Sequence, residues 1–136
     1  MPDRPRSPRT LRPKVLIVED DESIRAALVD ALQQTRPDLN VESTETAERA
    51  LDLARRAFAD HEPFALVVSD HRMAKMTGAE LLATLEREQL IHAGILASAT
   101  DRAESELRER GSTSLFLAKP YRIAELLELI ERALGF

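Results

Sequence analysis

The chain alternates short, wholly apolar runs with longer stretches in which apolar residues recur at helical spacing. Each run is too short for a buried helix and consists mostly of β-branched or large apolar residues, which is typical of strands covered on both faces. The runs are residues 15–18, 64–68, 95–97 and 115–118, with a weaker strand at 40–43. This alternation favours a parallel sheet covered by helices on both faces.

Helical periodicity fills the segments between and after these strands. Four stretches place apolar residues at or near i, i+3, i+4 and i+7, the pattern of a helix with one buried face. The predicted inward faces are Ile24, Ala27, Leu28, Ala31 and Leu32; Ala47, Ala50, Leu51, Ala54 and Phe58; Gly78, Leu81, Leu82 and Leu85; and Ile123, Leu126, Leu127, Ile130 and Leu134. Each of these stretches therefore predicts an amphipathic helix.

A fifth helix, residues 101–110, differs from the other four. It starts with a cap-like Asp101-x-x-Glu104 sequence, which is typical of a helix N-terminus. On its inward side it offers only Ala103 and Leu107. We therefore expect this helix to have the weakest anchoring in the chain and to be the most easily shifted.

These elements predict an α/β fold, a doubly wound five-stranded parallel sheet with five helices in the flavodoxin-like (βα)5 arrangement. Every connection between strands is long enough to contain a helix, and such crossovers are right-handed. In sheets of this kind, ligands bind at the carboxyl ends of the strands, where the strand order reverses. We expect residues 14–136 to form this domain, and residues 1–13, with four Arg against one Asp, to be a flexible basic leader.

Charge and composition exclude several classes of function. Beyond residue 13 the chain carries 15 Lys and Arg against 23 Asp and Glu, a net charge of −8 that disfavours direct binding to nucleic acid phosphates. Cysteine is absent, which excludes disulfides, thiolate catalysis and the usual zinc ligands. The three histidines, His61, His71 and His92, show no metal-ligand spacing. No apolar run approaches the roughly 18 residues of a membrane span, so we expect a cytoplasmic location without membrane contact.

Three carboxylates, Glu19, Asp20 and Asp21, follow the first strand directly. Two carboxylates about 4 Å apart repel each other by about 4 kcal/mol at an effective dielectric constant near 20. The cluster therefore needs a compensating charge or free access to water. Asp21 is interpreted as the N-cap of the first helix rather than as a metal ligand.

Polar side chains also follow the other central strands. Asp70 comes after the third strand, Ser98, Ala99 and Thr100 come after the fourth, and Lys119 comes after the fifth. Carboxylate ligands without cysteine or histidine select a hard cation, and Mg²⁺ fits best because one or two carboxylates usually hold it. The set predicts a site for a phosphoryl group, with Asp70 as the nucleophile.

Four strings of the sequence carry a resemblance to a known family: VLIVEDDESIR, VVSDHRMAKMTGAELL, ILASAT and LFLAKPYRIAELL. In this order, and at the ends of the predicted strands, they resemble the receiver domain of two-component response regulators. The resemblance implies a phosphorylation switch in which Asp70 accepts a phosphoryl group from the phosphohistidine of a sensor histidine kinase or a phosphotransfer protein. Such a domain assists its own phosphorylation and dephosphorylation and has no separate turnover substrate.

The resemblance also implies a set of metal ligands. Asp20 and Asp70 would bind Mg²⁺ directly, and Glu19 would contribute through water. The backbone carbonyl of Arg72 would be a further ligand, independent of its side chain. Mn²⁺ is expected to substitute for Mg²⁺.

The same resemblance assigns the switch. Ser98 would hydrogen-bond the phosphoryl group and Lys119 would form an ion pair with it, while Phe116 occupies the position of the switch aromatic residue. The bond between Lys119 and Pro120 would be cis. The surface of helix 101–110, strand 113–118 and helix 122–134, called the 101–134 face below, would then bind a downstream protein, the chain's own output domain or a second copy.

Several positions depart from the family pattern or have no assigned role. Ala74 stands where the family usually has proline, which should loosen the loop after Asp70. Thr77 replaces a frequent acidic residue and is expected to have small consequence, and His71 is interpreted as incidental. Arg72 and Thr100 are expected to line the approach of hydrolytic water.

Two other functions compete with this interpretation. A hydrolase of the haloacid-dehalogenase type also uses Asp, Mg²⁺, Ser or Thr, and Lys, but it needs a second Asp two residues after the nucleophile, where this chain has Arg72. A degenerate receiver could act as a constitutive interaction module. The complete set of acids, serine and lysine argues against that possibility.

Overall fold

Five parallel strands form one sheet in the computed structural model, which describes residues 12–135. The strands are β1 (Lys14–Val18), β2 (Asn40–Thr44), β3 (Leu66–Asp70), β4 (Ala93–Ser98) and β5 (Leu115–Ala118). Their order across the sheet is β2-β1-β3-β4-β5, so the order reverses between β1 and β3. The predicted doubly wound α/β fold is confirmed.

Five helices alternate with the strands: α1 (Glu22–Thr35), α2 (Ala47–Ala59), α3 (Gly78–Arg87), α4 (Asp101–Glu109) and α5 (Ile123–Leu134). One face of the sheet packs against α2, α3 and α4, and the other packs against α1 and α5. Within residues 12–135, no helix has the length and apolar character needed to cross a bilayer.

The first strand is apolar after Lys14 because both of its faces are covered. In β1, Leu16 and Val18 belong to the core under α2, α3 and α4, whereas Val15 and Ile17 belong to the core under α1 and α5. All four side chains are at most 1% exposed. Burial of such a side chain contributes about 1.5–3 kcal/mol, so β1 stabilises both layers.

The third strand begins later than the sequence predicted. Its apolar run starts at Phe64, but the backbone of Ala65 donates to Lys14 and the parallel ladder begins only at Leu66, opposite Val15. The prediction of residues 64–68 was therefore wrong by two residues at each end. The shift brings Asp70 into the last position of β3.

Three residues predicted to face inward, Ile24, Ala27 and Phe58, are exposed instead. Ile24 in α1 is 47% exposed and Phe58 in α2 is 50% exposed. The first turn of α1 lies at the carboxyl edge of the sheet, so its buried side is formed further along, by residues that include Leu32. In α2 the inward position near the C-terminus belongs to Ala57, which is 7% exposed.

Helix α4 has two buried side chains, Ala103 and Leu107, as predicted. The predicted cap at Asp101 was wrong, because Asp101 is already the first helical residue and Thr100 occupies the N-cap position. Thr100 makes no side-chain cap hydrogen bond. Helix α4 therefore starts without the stabilisation that a capping side chain provides, about 1 kcal/mol in typical helices.

The described part of the predicted leader packs against the edge of the sheet. The carbonyl of Pro13 accepts a hydrogen bond from the backbone of Asn40 at 2.8 Å, and Arg12 donates to the carbonyl of Pro37 at 3.0 Å. Residues 1–11, to which the rest of that prediction refers, lie outside the described residues.

Candidate functional site

Three carboxylates meet at the carboxyl edge of the sheet, between β1 and β3. Val18 lies opposite Ser69 in the ladder, so the next residues along, Glu19 and Asp70, lie side by side. One carboxylate oxygen each from Glu19, Asp20 and Asp70 lie within 4.8 Å of one another. This is the point where the strand order reverses, the position at which such sheets bind ligands.

Glu19 is buried at this edge, with 5% of its surface exposed. Its carboxylate accepts a hydrogen bond from the backbone of Asp21 at 3.1 Å, and its carbonyl accepts one from Arg25 at 2.8 Å. Burial raises the pKa of Glu19 and the charge of Asp70 raises it further, while the Asp21 N–H and the Lys119 ammonium lower it; the net direction is upward. The cluster thus contains more negative charge than its surroundings compensate.

Lys119 holds the carboxylate of Asp70. Its Nζ donates to Asp70 Oδ1 at 2.6 Å, and the two side chains are 32% and 12% exposed. Burial by itself lowers the pKa of Lys119, but the hydrogen bond and charge of Asp70 and the charge of Glu19 outweigh it, and the pKa is raised. Lys119 is therefore a permanent positive charge beside Asp70. Its peptide bond to Pro120 is cis, as the resemblance implied.

Ser98 ends β4 on the other side of Asp70. Asp70 lies opposite Ala97 in the ladder, so Ser98 is one residue beyond it, and its side chain is buried at 4% exposure. Its Oγ accepts a hydrogen bond from the backbone of Thr100 at 3.2 Å. Ala99 and Thr100 themselves are exposed. A rotation of Ser98 would therefore change the support of the first residues of α4.

Two other predicted residues lie near this edge. Phe116 in β5 is half-buried and packs against the core under α2, α3 and α4. Arg72 lies two residues beyond Asp70 with an exposed side chain. The switch role of Phe116 and the ligand role of the Arg72 carbonyl stay predictions. Asp21 accepts a hydrogen bond from the backbone of Ile24 at 2.9 Å, so its predicted N-cap role is confirmed.

Thr77 and His71, to which the sequence analysis assigned no role, make specific contacts. Thr77 caps α3 and forms a capping box with Glu80. Its hydroxyl also donates to Glu106 in α4 at 3.1 Å, and the Nε2 of His71 lies 3.3 Å from the same carboxylate. The structure thus gives Thr77 and His71 contacts that the sequence did not predict. The Thr77-x-x-Glu80 pattern could have revealed the cap, but no local signal points to Glu106.

The donor set fits a hard divalent cation. Glu19, Asp20 and Asp70 offer only oxygen ligands, and their spacing allows one ion to reach all three. Mg²⁺ prefers such ligands and keeps several waters, which suits a cluster in which Asp20 is exposed and Asp70 is half-buried. The arrangement combines three carboxylates, a lysine and a serine hydroxyl at one edge of the sheet.

Comparison with known proteins gives the family. The model of the response regulator receiver domain matches residues 15–131. The chain belongs to this family. It is 36% identical over 127 residues to the response regulator protein FleR of Pseudomonas aeruginosa, which covers 90% of this chain and 25% of FleR. It is 28% identical to the two-component response regulator ORR13 of Oryza sativa subsp. japonica, covering 87% of this chain and 95% of that protein. This receiver domain thus spans a quarter of the length of FleR.

Solved structures agree with this assignment. The crystal structure of FixJ-N is 29% identical, with a TM-score of 0.75, and the match covers 90% of this chain and 94% of that one. The non-phosphorylated HemR receiver domain of Leptospira biflexa is 29% identical, with a TM-score of 0.74, and the match covers 92% and 96%. The protein is a receiver domain of a two-component response regulator, a class that generally acts as a phosphorylation switch and as a signalling domain rather than a turnover enzyme.

Proposed function

We propose that this receiver domain accepts a phosphoryl group on Asp70 from a phosphohistidine, with Mg²⁺, and thereby changes the affinity of its 101–134 face for a partner. One observation carries the proposal: Asp70 shares a 4.8 Å cluster with Glu19 and Asp20 and is held by Lys119 at 2.6 Å. The phosphoryl donor would be a sensor histidine kinase or a phosphotransfer protein. A cytoplasmic location, where such a donor would meet the domain, is part of the proposal.

Asp70 would act as the nucleophile. One of its carboxylate oxygens forms a bond to phosphorus while the bond between phosphorus and the imidazole nitrogen of the donor breaks, and the imidazole leaves with that electron pair. Such transfers depend mainly on positioning and on neutralising charge. The hydrogen bond from Lys119 orients the Asp70 carboxylate, and its ammonium stabilises the charge on the transferred group.

The residues present would hold Mg²⁺ through Asp20, Asp70, the Arg72 carbonyl and, through water, Glu19. When bound, Mg²⁺ supplies positive charge to the phosphoryl oxygens. The protein's own contribution is to hold these oxygens close together, on two neighbouring strands.

The aspartyl phosphate would act on α4 through Ser98. The phosphoryl group carries about two negative charges in place of the single charge of the Asp70 carboxylate, and these charges attract the Ser98 hydroxyl. If Ser98 turns toward Asp70, its hydrogen bond with the Thr100 backbone is lost and Phe116 gains space to turn inward. Helix α4, with its two buried residues, then changes position, and the population of two packings shifts. The 101–134 face would bind a downstream protein, the chain's own output domain or a second copy.

Beryllofluoride, a mimic of the phosphoryl group, tests this proposal. Wild-type protein with Mg²⁺ should show shifts of the NMR amide signals around Asp70, Ser98 and α4, and Asp70→Asn should show none. Asp20→Ala should abolish Mg²⁺ binding. The matched control is Asp21→Ala, which should keep Mg²⁺ binding and lose only about 1 kcal/mol of helix capping.

Three results would contradict the proposal. Steady turnover of p-nitrophenyl phosphate would favour the hydrolase, although Arg72 stands where that family needs its second Asp. A lack of any response to beryllofluoride and Mg²⁺ would favour a constitutive interaction module. Unchanged Mg²⁺ affinity in Asp20→Ala would show that the ligand assignment is wrong.

A further inference from the structure

A carboxylate on helix α4 contacts both ends of the loop that follows Asp70. Glu106 Oε1 lies 3.3 Å from Nε2 of His71, the first residue of loop 71–77. Glu106 Oε2 accepts a hydrogen bond at 3.1 Å from the hydroxyl of Thr77, the last residue of that loop. These two contacts, called the Glu106 clamp below, connect α4 to the segment that carries Asp70.

The loop side of the clamp is held firmly in place. The backbone of Gly78 donates to the carbonyl of His71 at 2.9 Å, which closes the loop. The backbone of Ala79 donates to Nδ1 of His71 at 3.4 Å, which orients the imidazole ring with Nε2 toward Glu106. Thr77 is fixed as the N-cap of α3. Any displacement of Asp70 and His71 is therefore transmitted to Glu106.

The helix side of the clamp is held by Arg110. Its Nε donates to Glu106 Oε2 at 2.9 Å. Burial by itself would raise the pKa of Glu106, but the hydrogen bonds from Arg110 and Thr77 and the charges of His71 and Arg110 outweigh it, so the pKa is lowered. The carboxylate is thus ionised and correctly placed for the clamp.

Helix α4 has few other attachments. Its buried side chains are Ala103 and Leu107, and its N-cap residue Thr100 makes no capping hydrogen bond. Charge-assisted hydrogen bonds are roughly twice as strong as neutral ones. The contacts of Glu106 are therefore a large part of what determines the position of this helix.

We propose that Glu106 is a positioning residue that stabilises α4 in its phosphoryl-free position by clamping loop 71–77. This inference rests on the proposed function, and it adds a second connection between Asp70 and α4 beside Ser98. Glu106 does not touch the acceptor carboxylate. Coupling between two sites is reciprocal, so an interaction that favours the phosphoryl-free position must weaken phosphoryl binding by the same factor.

The test compares beryllofluoride affinity in three proteins, measured by NMR titration with saturating Mg²⁺. Glu106→Ala should bind beryllofluoride about fivefold more tightly than wild type, the lower end of coupling between sites in proteins. Its α4 amides should exchange hydrogen faster in the absence of beryllofluoride. The matched control is Glu104→Ala on the same helix, because Glu104 pairs with Arg108 at 3.9 Å rather than with the loop. This control should keep the wild-type affinity.

Each outcome decides the inference. Faster exchange in Glu106→Ala with unchanged beryllofluoride affinity would overturn it, because the contact would then be structural only. If Glu106→Ala does not fold, Glu106→Gln replaces it. The amide can still accept the hydrogen bond of Thr77 but lacks the negative charge of the carboxylate. A smaller gain in affinity is therefore expected, and the absence of any gain overturns the inference. Failure of the wild type to bind beryllofluoride would overturn the proposed function itself, and the clamp with it.

Discussion

Replacement of Gly78 by alanine should slow the phosphorylation of Asp70 far more than it destabilises the fold. Gly78 is the first residue of α3 and lies directly under the end of β3. A Cβ atom at this position would lie 2.2 Å from the backbone oxygen of Asp70 and 2.7 Å from Cδ1 of Leu96. Both distances are well below ordinary van der Waals contact.

The size of the effect follows from which atoms can move. The Leu96 side chain can rotate away, but the Asp70 oxygen belongs to a strand that is paired on both sides, so relief requires the backbone to retreat by about 1 Å. Overpacking of this kind costs about 1–3 kcal/mol. The higher helix propensity of alanine returns about 1 kcal/mol, which leaves a net loss of about 0–2 kcal/mol in the free energy of unfolding.

The chemical effect is larger because the displaced backbone carries the nucleophile. A misplacement of about 1 Å in a positioned reactant can cost on the order of 100-fold in rate. We therefore expect labelling of Gly78→Ala by acetyl phosphate with Mg²⁺ to be slower by about that factor. Intact-mass spectrometry gives the labelling rate, and urea unfolding gives the stability.

Gly94→Ala is the matched control. A Cβ atom there would lie 2.4 Å from Ser114 Oγ and 2.9 Å from Leu82 Cδ2, both side-chain atoms near the start of β4, at the other end of the strand from Ser98. It should lose stability and keep the wild-type labelling rate. If folded Gly78→Ala is labelled as fast as the wild type, the reasoning that links this glycine to the position of Asp70 is refuted.

Three further predictions concern other parts of the domain. Lys119→Ala should still be labelled by acetyl phosphate, but labelling should no longer change partner binding or dimerisation. If size-exclusion chromatography shows the same change on labelling as in the wild type, Lys119 has no part in the switch. Mg²⁺ affinity should fall as the pH falls, starting above 4.5, the usual pKa of a glutamic acid, because the pKa of Glu19 is raised and a proton then competes with the cation. Constant affinity in calorimetric titrations between pH 7 and 4.5 would contradict this. Glu86→Ala should lower the free energy of unfolding by at least about 2 kcal/mol. The Glu86 carboxylate accepts hydrogen bonds from the hydroxyls of Ser112 and Ser114, two buried residues that precede β5. Each hydroxyl that loses its partner costs about 1–3 kcal/mol. Urea unfolding measures this loss, and Glu88→Ala, which breaks only an exposed pair, should cost less than about 1 kcal/mol.

The meeting of five polar side chains at one edge of the sheet was predictable because it depends on a simple rule. These residues are Glu19, Asp20, Asp70, Ser98 and Lys119. Each residue directly follows or ends an apolar run, and the carboxyl ends of parallel strands meet at one edge of a sheet. The order of residues along the chain is therefore enough to bring these side chains to one place. The two-residue error in β3 did not disturb that result.

The exposure of Ile24 and Phe58 was not predictable in the same way. Both fit a helical period of apolar residues, yet the sheet covers only part of each helix. A period describes which side of a helix is apolar, but it carries no information about how far along the helix the neighbouring layer extends.

By itself, the sequence determined the layered fold, its elements and the edge at which the acidic cluster lies, because these follow from apolar periodicity and from what adjoins each strand. Only the tertiary structure decided that Glu106 meets His71 and Thr77, from which it is separated by 35 and 29 residues. Such a contact depends on the distance and angle at which α4 packs beside α3. No local pattern in the chain encodes that geometry.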